Sequence, residues 1–193
     1  MTKKTIATTI LGFCFLVVHA QKEQSVKKQD SSIYSFVVDS ISGGKAISFA
    51  NFKGKKILIV NSATLDSGFY QLQELKKLQR QQKGELVIIL FPCNDFNTEP
   101  ANDKQIALFL NRFQFPFVVA AKTHVKSKGI SPLFQWLTNK KLNGVLDSEI
   151  KGAFQKYLIN EKGMLAEIFL PGKRPFTDAT VKSAIEKKQT GKQ

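Results

Sequence analysis

Two cysteines, two histidines and one tryptophan in 193 residues are too few for several chemistries. No pair of Cys and His stands at zinc-ligand spacing, and two cysteines make no disulfide framework, so metal and disulfide scaffolds are both excluded as the basis of the fold. Acid is scarce as well: 15 Asp and Glu face 29 Lys and Arg, a formal charge of +14. That balance describes a surface and names no reaction. Beyond the first twenty residues there is no long apolar run, which leaves no candidate span in the rest of the chain. With 42% hydrophobic and 23% charged residues, the chain reads as one globular domain rather than a multidomain enzyme or a transporter.

What is present begins with an address. Lys3 and Lys4 precede an apolar run from Thr5 to Val18, and Val18-His19-Ala20 suits a signal peptidase. Residues 1–20 are therefore expected to be a signal peptide cut after Ala20. The alternative is a retained anchor, for which roughly 14 apolar residues are short against about 30 Å of hydrocarbon. Phe13 before Cys14 is too bulky for a lipoprotein signal. Cleavage would discard Cys14 and His19, leaving Cys93 and His124 as the mature chain's only Cys and His. Gln21 to Asp30 reads as a flexible polar leader, residues 31–186 as the folded domain, and 187–193 as a basic tail.

Hydrophobic periodicity places the elements. Residues 33–38 and 46–49 suggest a hairpin turning at Gly43-Gly44, and 57–60 and 86–91 are continuous apolar runs of buried strands. Phe69, Leu72, Leu75 and Leu78 predict an amphipathic helix over 69–82, and Ile106, Phe109 and Leu110 predict another over 103–113. A strand over 117–121, a short helix over 132–138, a hairpin of 157–160 with 165–170, and a basic helix over 178–188 complete the order. Strand-helix-strand first and a hairpin last is the plan of a thioredoxin-like α/β sandwich, a central mixed sheet flanked by helices.

Ser32-Ile33-Tyr34-Ser35-Phe36, Phe52-Lys53-Gly54-Lys55, Leu58-Ile59-Val60-Asn61, Phe91-Pro92-Cys93-Asn94, Arg112-Phe113 and Ser131-Pro132-Leu133-Phe134 follow one another in a telling order. In that order and rough spacing the chain resembles the glutathione peroxidase family from about Ser31 to Ile185. The resemblance implies a thioredoxin-like fold, reduction of hydroperoxides by glutathione or thioredoxin in the response to oxidative stress, and no cofactor. It implies a thiolate or selenolate where the first buried strand enters its helix, because that step needs a soft, oxidisable nucleophile.

At that position the sequence departs from the family. Counting from Asn61 places the nucleophile on Asp66, or on Ser67 after a shift of one residue, and neither side chain has a comparable two-electron oxidation. The family's Gln falls near Thr98, in a loop one residue short, and its Trp and Asn fall on Gly152 and Ala153. Leu110 precedes Asn111-Arg112-Phe113 where thioredoxin-dependent members carry a resolving Cys. The expected function is thus an exported, non-peroxidatic member with a binding or structural role. The alternative is a weak thiol peroxidase acting through Cys93, with a thiol reductant and a hydroperoxide as its partners.

Other residues carry simpler readings. Asp66 or Ser67 is expected to cap the helix, with ligand binding as the alternative. Cys93 reads as a packed thiol whose neighbour Asp95 would raise its pKa, with slow reactivity as the alternative. His124 reads as solvated, with no carboxylate at a spacing that would make it a base. Trp136, Phe109, Phe113, Phe115 and Phe117 read as core. Lys27-Lys28, Lys55-Lys56, Lys76-Lys77, Lys140-Lys141 and Lys187-Lys188 read as a solvated face. Dispersed pairs without an Arg-rich stripe argue against nucleic acid; an anionic polymer or an unknown protein suits them better.

Overall fold

The computed structural model describes residues 32–64, 66–126 and 128–187. The signal segment, the leader and all of the tail but Lys187 lie outside the described residues.

Two parallel strands form the centre because their side chains are apolar on both faces. Strands β3 (Lys56–Ser62) and β4 (Leu86–Pro92) are buried at every position. They pair in parallel from Lys56 opposite Leu86 to Ser62 opposite Pro92. Helix α1 (Tyr70–Gln81) makes the crossover, its Leu72, Leu75 and Leu78 buried at helical spacing. The antiparallel hairpin of β6 (Lys156–Ile159) and β7 (Leu165–Phe169) adds on one side of β3, and β5 (Val118–Val119) on the far side of β4. The sheet order is β5-β4-β3-β6-β7.

Alternation along β3 separates two apolar layers. Ile57 and Ile59 face a layer holding Ile33, Phe49, Phe134 and Trp136, with Cys93 among them. Leu58 and Val60 face the layer of α1, α2 (Asp103–Arg112) and α5 (Ala179–Glu186), through Leu75, Ile106, Leu110, Val181 and Ile185. Both layers are built between Ile33 and Ile185, so a chain starting at residue 21 keeps both. Helix α2 starts at a reciprocal cap between Asn102 and Gln105, and α3 (Pro132–Thr138) at Ser131 with Pro132 as its first residue. The short α4 (Lys140–Asn143) was not expected from the sequence; Gly144, at φ 74°, ends it.

Several expectations need correction. The first hairpin shrinks to β1 (Val37–Val38) and β2 (Ile47–Ser48), because residues 33–35 and 49–52 coil into 3-10 turns that carry Ile33 and Phe49 into the core. The strand over 117–121 keeps only two residues. The last helix covers 179–186, after an Asp178 cap that accepts from Thr180 and Val181 N–H. Trp136 is core, but Phe113 is exposed and Phe109, Phe115 and Phe117 are only half-buried. Lys56 is buried rather than solvated: its Nζ donates to the carbonyls of Ile185 and Lys187, 2.6 and 2.7 Å away, and closes the end of α5.

Candidate functional site

Three segments converge where β3 and β4 end. The first is the β3–α1 junction. Asp66 stands at its start and its Oδ1 accepts from the N–H of Gly68 at 2.7 Å, capping the 3-10 turn that leads into α1. That cap contributes about 0.5 to 2 kcal/mol. It is the role expected for this carboxylate, while Ser67 is exposed beside it.

The second segment is 152–154. Asn61, fully buried, donates from Nδ2 to the carbonyl of Gly152 at 2.8 Å, and its own carbonyl accepts from the N–H of Phe154 at 2.7 Å. Phe154 is fully buried at φ 62°, a left-handed backbone unusual for a bulky residue. Its ring lies against Gly68, where an added Cβ would meet it at 2.6 Å. Glycine is required there by close approach. Gly152 lies under the ring of Pro171, 3.3 Å from where its Cβ would be, and Gln71 holds the Pro171 carbonyl at 3.0 Å. The place assigned to the family's Trp is therefore crowded by Pro171, with Gly152 itself half-buried.

The third segment is the β4–α2 loop. Glu99, fully buried, accepts from the N–H and hydroxyl of Thr64 at 2.6 and 2.9 Å, and Asn94 accepts from the Glu99 N–H. Lys122 Nζ donates to the carbonyls of Glu99 and Ala101. A carboxylate so engaged fastens a loop. The Thr98 hydroxyl beside it is buried without a hydrogen-bond partner among the described residues.

The structure thus brings Asp66 and the Gly152–Ala153 segment together through the Gly68–Phe154 contact, and ties the Thr98 loop to Thr64. Cys93 lies beneath them, linked to the 152–154 segment through the Asn61 amide. It is fully buried in the layer on the other face of the sheet from Ala153 and Phe154. Asn61 Nδ2 lies 4.0 Å from its Sγ. Burial pushes the thiol up to about 11; the Asn61 contact opposes this, and the Asp95 charge reinforces it as expected. At neutral pH the thiol is therefore held in its protonated, poorly nucleophilic form.

His124 is exposed as expected but has a carboxylate partner that spacing did not reveal. Its Nδ1 lies 2.8 Å from Asp95 Oδ1, while Asp95 Oδ2 accepts from the N–H groups of Val125 and Lys126. Burial alone would raise the Asp95 carboxyl, yet the bonds from Lys126, His124 and Val125 outweigh it and hold it below the usual range. Sequence reading also missed Lys156, fully buried on β6, whose Nζ donates to the carbonyls of Pro171 and Lys173 at 3.3 and 2.7 Å. Glu74, also buried, is engaged by Arg174 and by the N–H of Phe176. Together these bonds hold the 171–176 segment over the site. No signal in the sequence separates Lys156 from a surface lysine. Among the described residues no group of three or more His, Cys, Asp or Glu could hold a metal, and no helix is long and apolar enough to cross a membrane.

Comparison with known proteins places this geometry. The family model for glutathione peroxidase matches residues 33–138. A glutathione peroxidase homolog of Staphylococcus epidermidis is 36% identical over 160 residues, 81% of this chain and 98% of that protein. A glutathione peroxidase-like peroxiredoxin of Schizosaccharomyces pombe is 36% identical over 135 residues, 68% of this chain and 85% of that protein. Among solved structures, T. cruzi GPX1 aligns with TM-score 0.56 and 25% identity over 79% of this chain and 92% of its own. A thioredoxin-family thiol:disulfide interchange protein of Chlorobium tepidum, at TM-score 0.58 and 18% identity over 80% and 95%, shows the shared thioredoxin-like fold. The chain belongs to the glutathione peroxidase family.

Proposed function

We propose that this chain is an exported member of the glutathione peroxidase family that has given up peroxide reduction and serves in binding. The family works with thiol reductants and hydroperoxides, and its chemistry starts at an oxidisable nucleophile. One observation carries the reading: the carboxylate of Asp66, which counting along the sequence puts at the nucleophile position, is occupied in capping the turn into α1. Support comes from the Gly152 position, where Pro171 leaves little room for a side chain, and from Thr98, a single hydroxyl near where the sequence count puts the family's amide donor. Export rests on the N-terminal segment of Lys3, Lys4 and the apolar run that follows.

The competing reading gives Cys93 the peroxidatic role. Full burial and a thiol pushed up to about 11 weigh against it, since attack on an O–O bond needs an accessible thiolate. Trapping of sulfenic acid tests this directly. Native protein exposed to millimolar-range peroxide is expected to give no trapped adduct at Cys93 by mass spectrometry, whereas unfolded protein gives one. An adduct on the native chain, formed as fast as on the unfolded one, would favour the relocated thiol.

A further inference from the structure

The outer face of α1 carries cations and aromatic rings with no acid between them. Tyr70, Gln73, Lys77 and Arg80 are exposed along it and Lys76 is half-buried. The helix's only acid, Glu74, is buried and already paired with Arg174. Rings line both borders. On one side Phe69 meets Phe109 at 5.4 Å between centroids, Phe109 meets Phe113 at 5.0 Å, and Phe113 leads to Phe115 at 6.0 Å. On the other stand Tyr70 and Phe176. Each border is capped by charge: Lys76 Nζ sits 5.5 Å over Phe115 and donates to the Phe113 carbonyl, Arg174 lies 5.4 Å over Tyr70, and Lys77 and Lys182 lie 5.9 and 6.0 Å over Phe176. Tyr70 and Phe113 keep 46% and 40% of their surface in solvent.

We infer that this face docks on an anionic lipid surface. Charge complementarity argues for an anionic partner, on a chain whose formal charge from residue 21 onward, without Lys3 and Lys4, is 14 − 2 = +12. The rings decide which anion. Cations held on aromatic rings present charge and apolar surface at one depth, as the boundary between headgroups and acyl chains requires. Nucleic acid would need ring faces free for stacking. Here Phe115 already stacks with Phe117 at 5.4 Å and 15° and carries Lys76, Phe113 packs against Phe69 and Phe109 at 6.0 and 5.0 Å, and Tyr70 carries Arg174, so the rings offer edges and rims rather than free faces. The outer surface of a helix is convex, which suits a deformable planar partner and gives a globular protein no pocket to fill. The inference rests on the binding role proposed above and names its partner.

The test is vesicle co-sedimentation of the chain from residue 21, without peroxide or thiol, so that its failure leaves the question of peroxidase chemistry untouched. Vesicles of phosphatidylcholine alone are compared with vesicles that also carry phosphatidylglycerol. Binding is expected only to the second, weakening steeply with salt. Lys76→Gln with Lys77→Gln should weaken it about 25-fold, at about five-fold per charge. Phe113→Ser should weaken it about five-fold through lost apolar contact. Lys162→Gln, in the β6–β7 turn beside Tyr34, should change it less than about two-fold. Equal partition onto both vesicle types overturns the inference. So does retention on heparin with no vesicle binding, which identifies an anionic polymer as the partner, and a loss in the lysine variant with none in Phe113→Ser overturns the part assigned to the rings.

Discussion

Phe154→Ala is expected to lower the unfolding free energy by about 3 to 5 kcal/mol, the cost of deleting a fully buried ring where the surroundings collapse only in part. The surroundings here are fixed. Gly68 on one side belongs to the Asp66-capped turn, and the Asn61 carbonyl holds the Phe154 N–H. Alanine inherits the positive φ of 62°, so no backbone strain is relieved to offset the lost packing. Urea unfolding of both proteins measures the difference. A loss below about 1 kcal/mol would show that the 152–154 segment does not seal the end of the sheet as described.

Lys156→Met should change the pH dependence of stability. Burial pushes the Lys156 ammonium down to about 7, although the charges of Glu74 and Asp178 pull the other way. Its pKa is about 10.4 in the unfolded chain, so between pH 7 and about 10.4 the unfolded state binds more protons than the folded state. Stability contributed at this site therefore rises with pH across that window, by up to about 1.4 kcal/mol per pH unit, and the penalty of the buried charge is complete below pH 7. Methionine has no such window. The difference in unfolding free energy, wild type minus Lys156→Met, should be smallest near pH 6 and climb between pH 7 and 10, while background titrations cancel. Parallel curves would mean that Lys156 keeps an ordinary lysine pKa and that the 171–174 segment is not held over a desolvated amine.

Strands and helices whose partners are local in sequence, or whose apolar runs are long, were legible. β3 and β4 are continuous apolar runs, and α1 announces itself through Leu72, Leu75 and Leu78. The short elements were not, because residues 33–35 and 49–52 are shaped by where Ile33 and Phe49 must be buried rather than by their own propensity. The site residues divide in the same way. Asp66 was legible as a cap because its partner is two residues away. Lys56 reads as a surface lysine and Lys156 carries no signal, since what satisfies them is backbone carbonyl supplied from 129 and 17 residues further along the chain. The Asp95–His124 pair spans 29 residues and exists only because the β4–α2 loop and the segment after β5 run side by side. The phenylalanine series alternates like a buried strand, yet the chain turns at Gln114, φ 51°, and leaves Phe113 at the surface.

The central claim is that a peroxidase scaffold carries no peroxidase chemistry here. The direct measurement is a coupled assay of the chain from residue 21 with hydrogen peroxide and an organic hydroperoxide, using glutathione and thioredoxin as reductants, beside a Cys93→Ser variant. The account predicts that turnover of both proteins stays at the level of a heat-inactivated control. Turnover well above that control and abolished in Cys93→Ser would contradict it, and would mean that the enzyme survives through the buried thiol of the opposite layer.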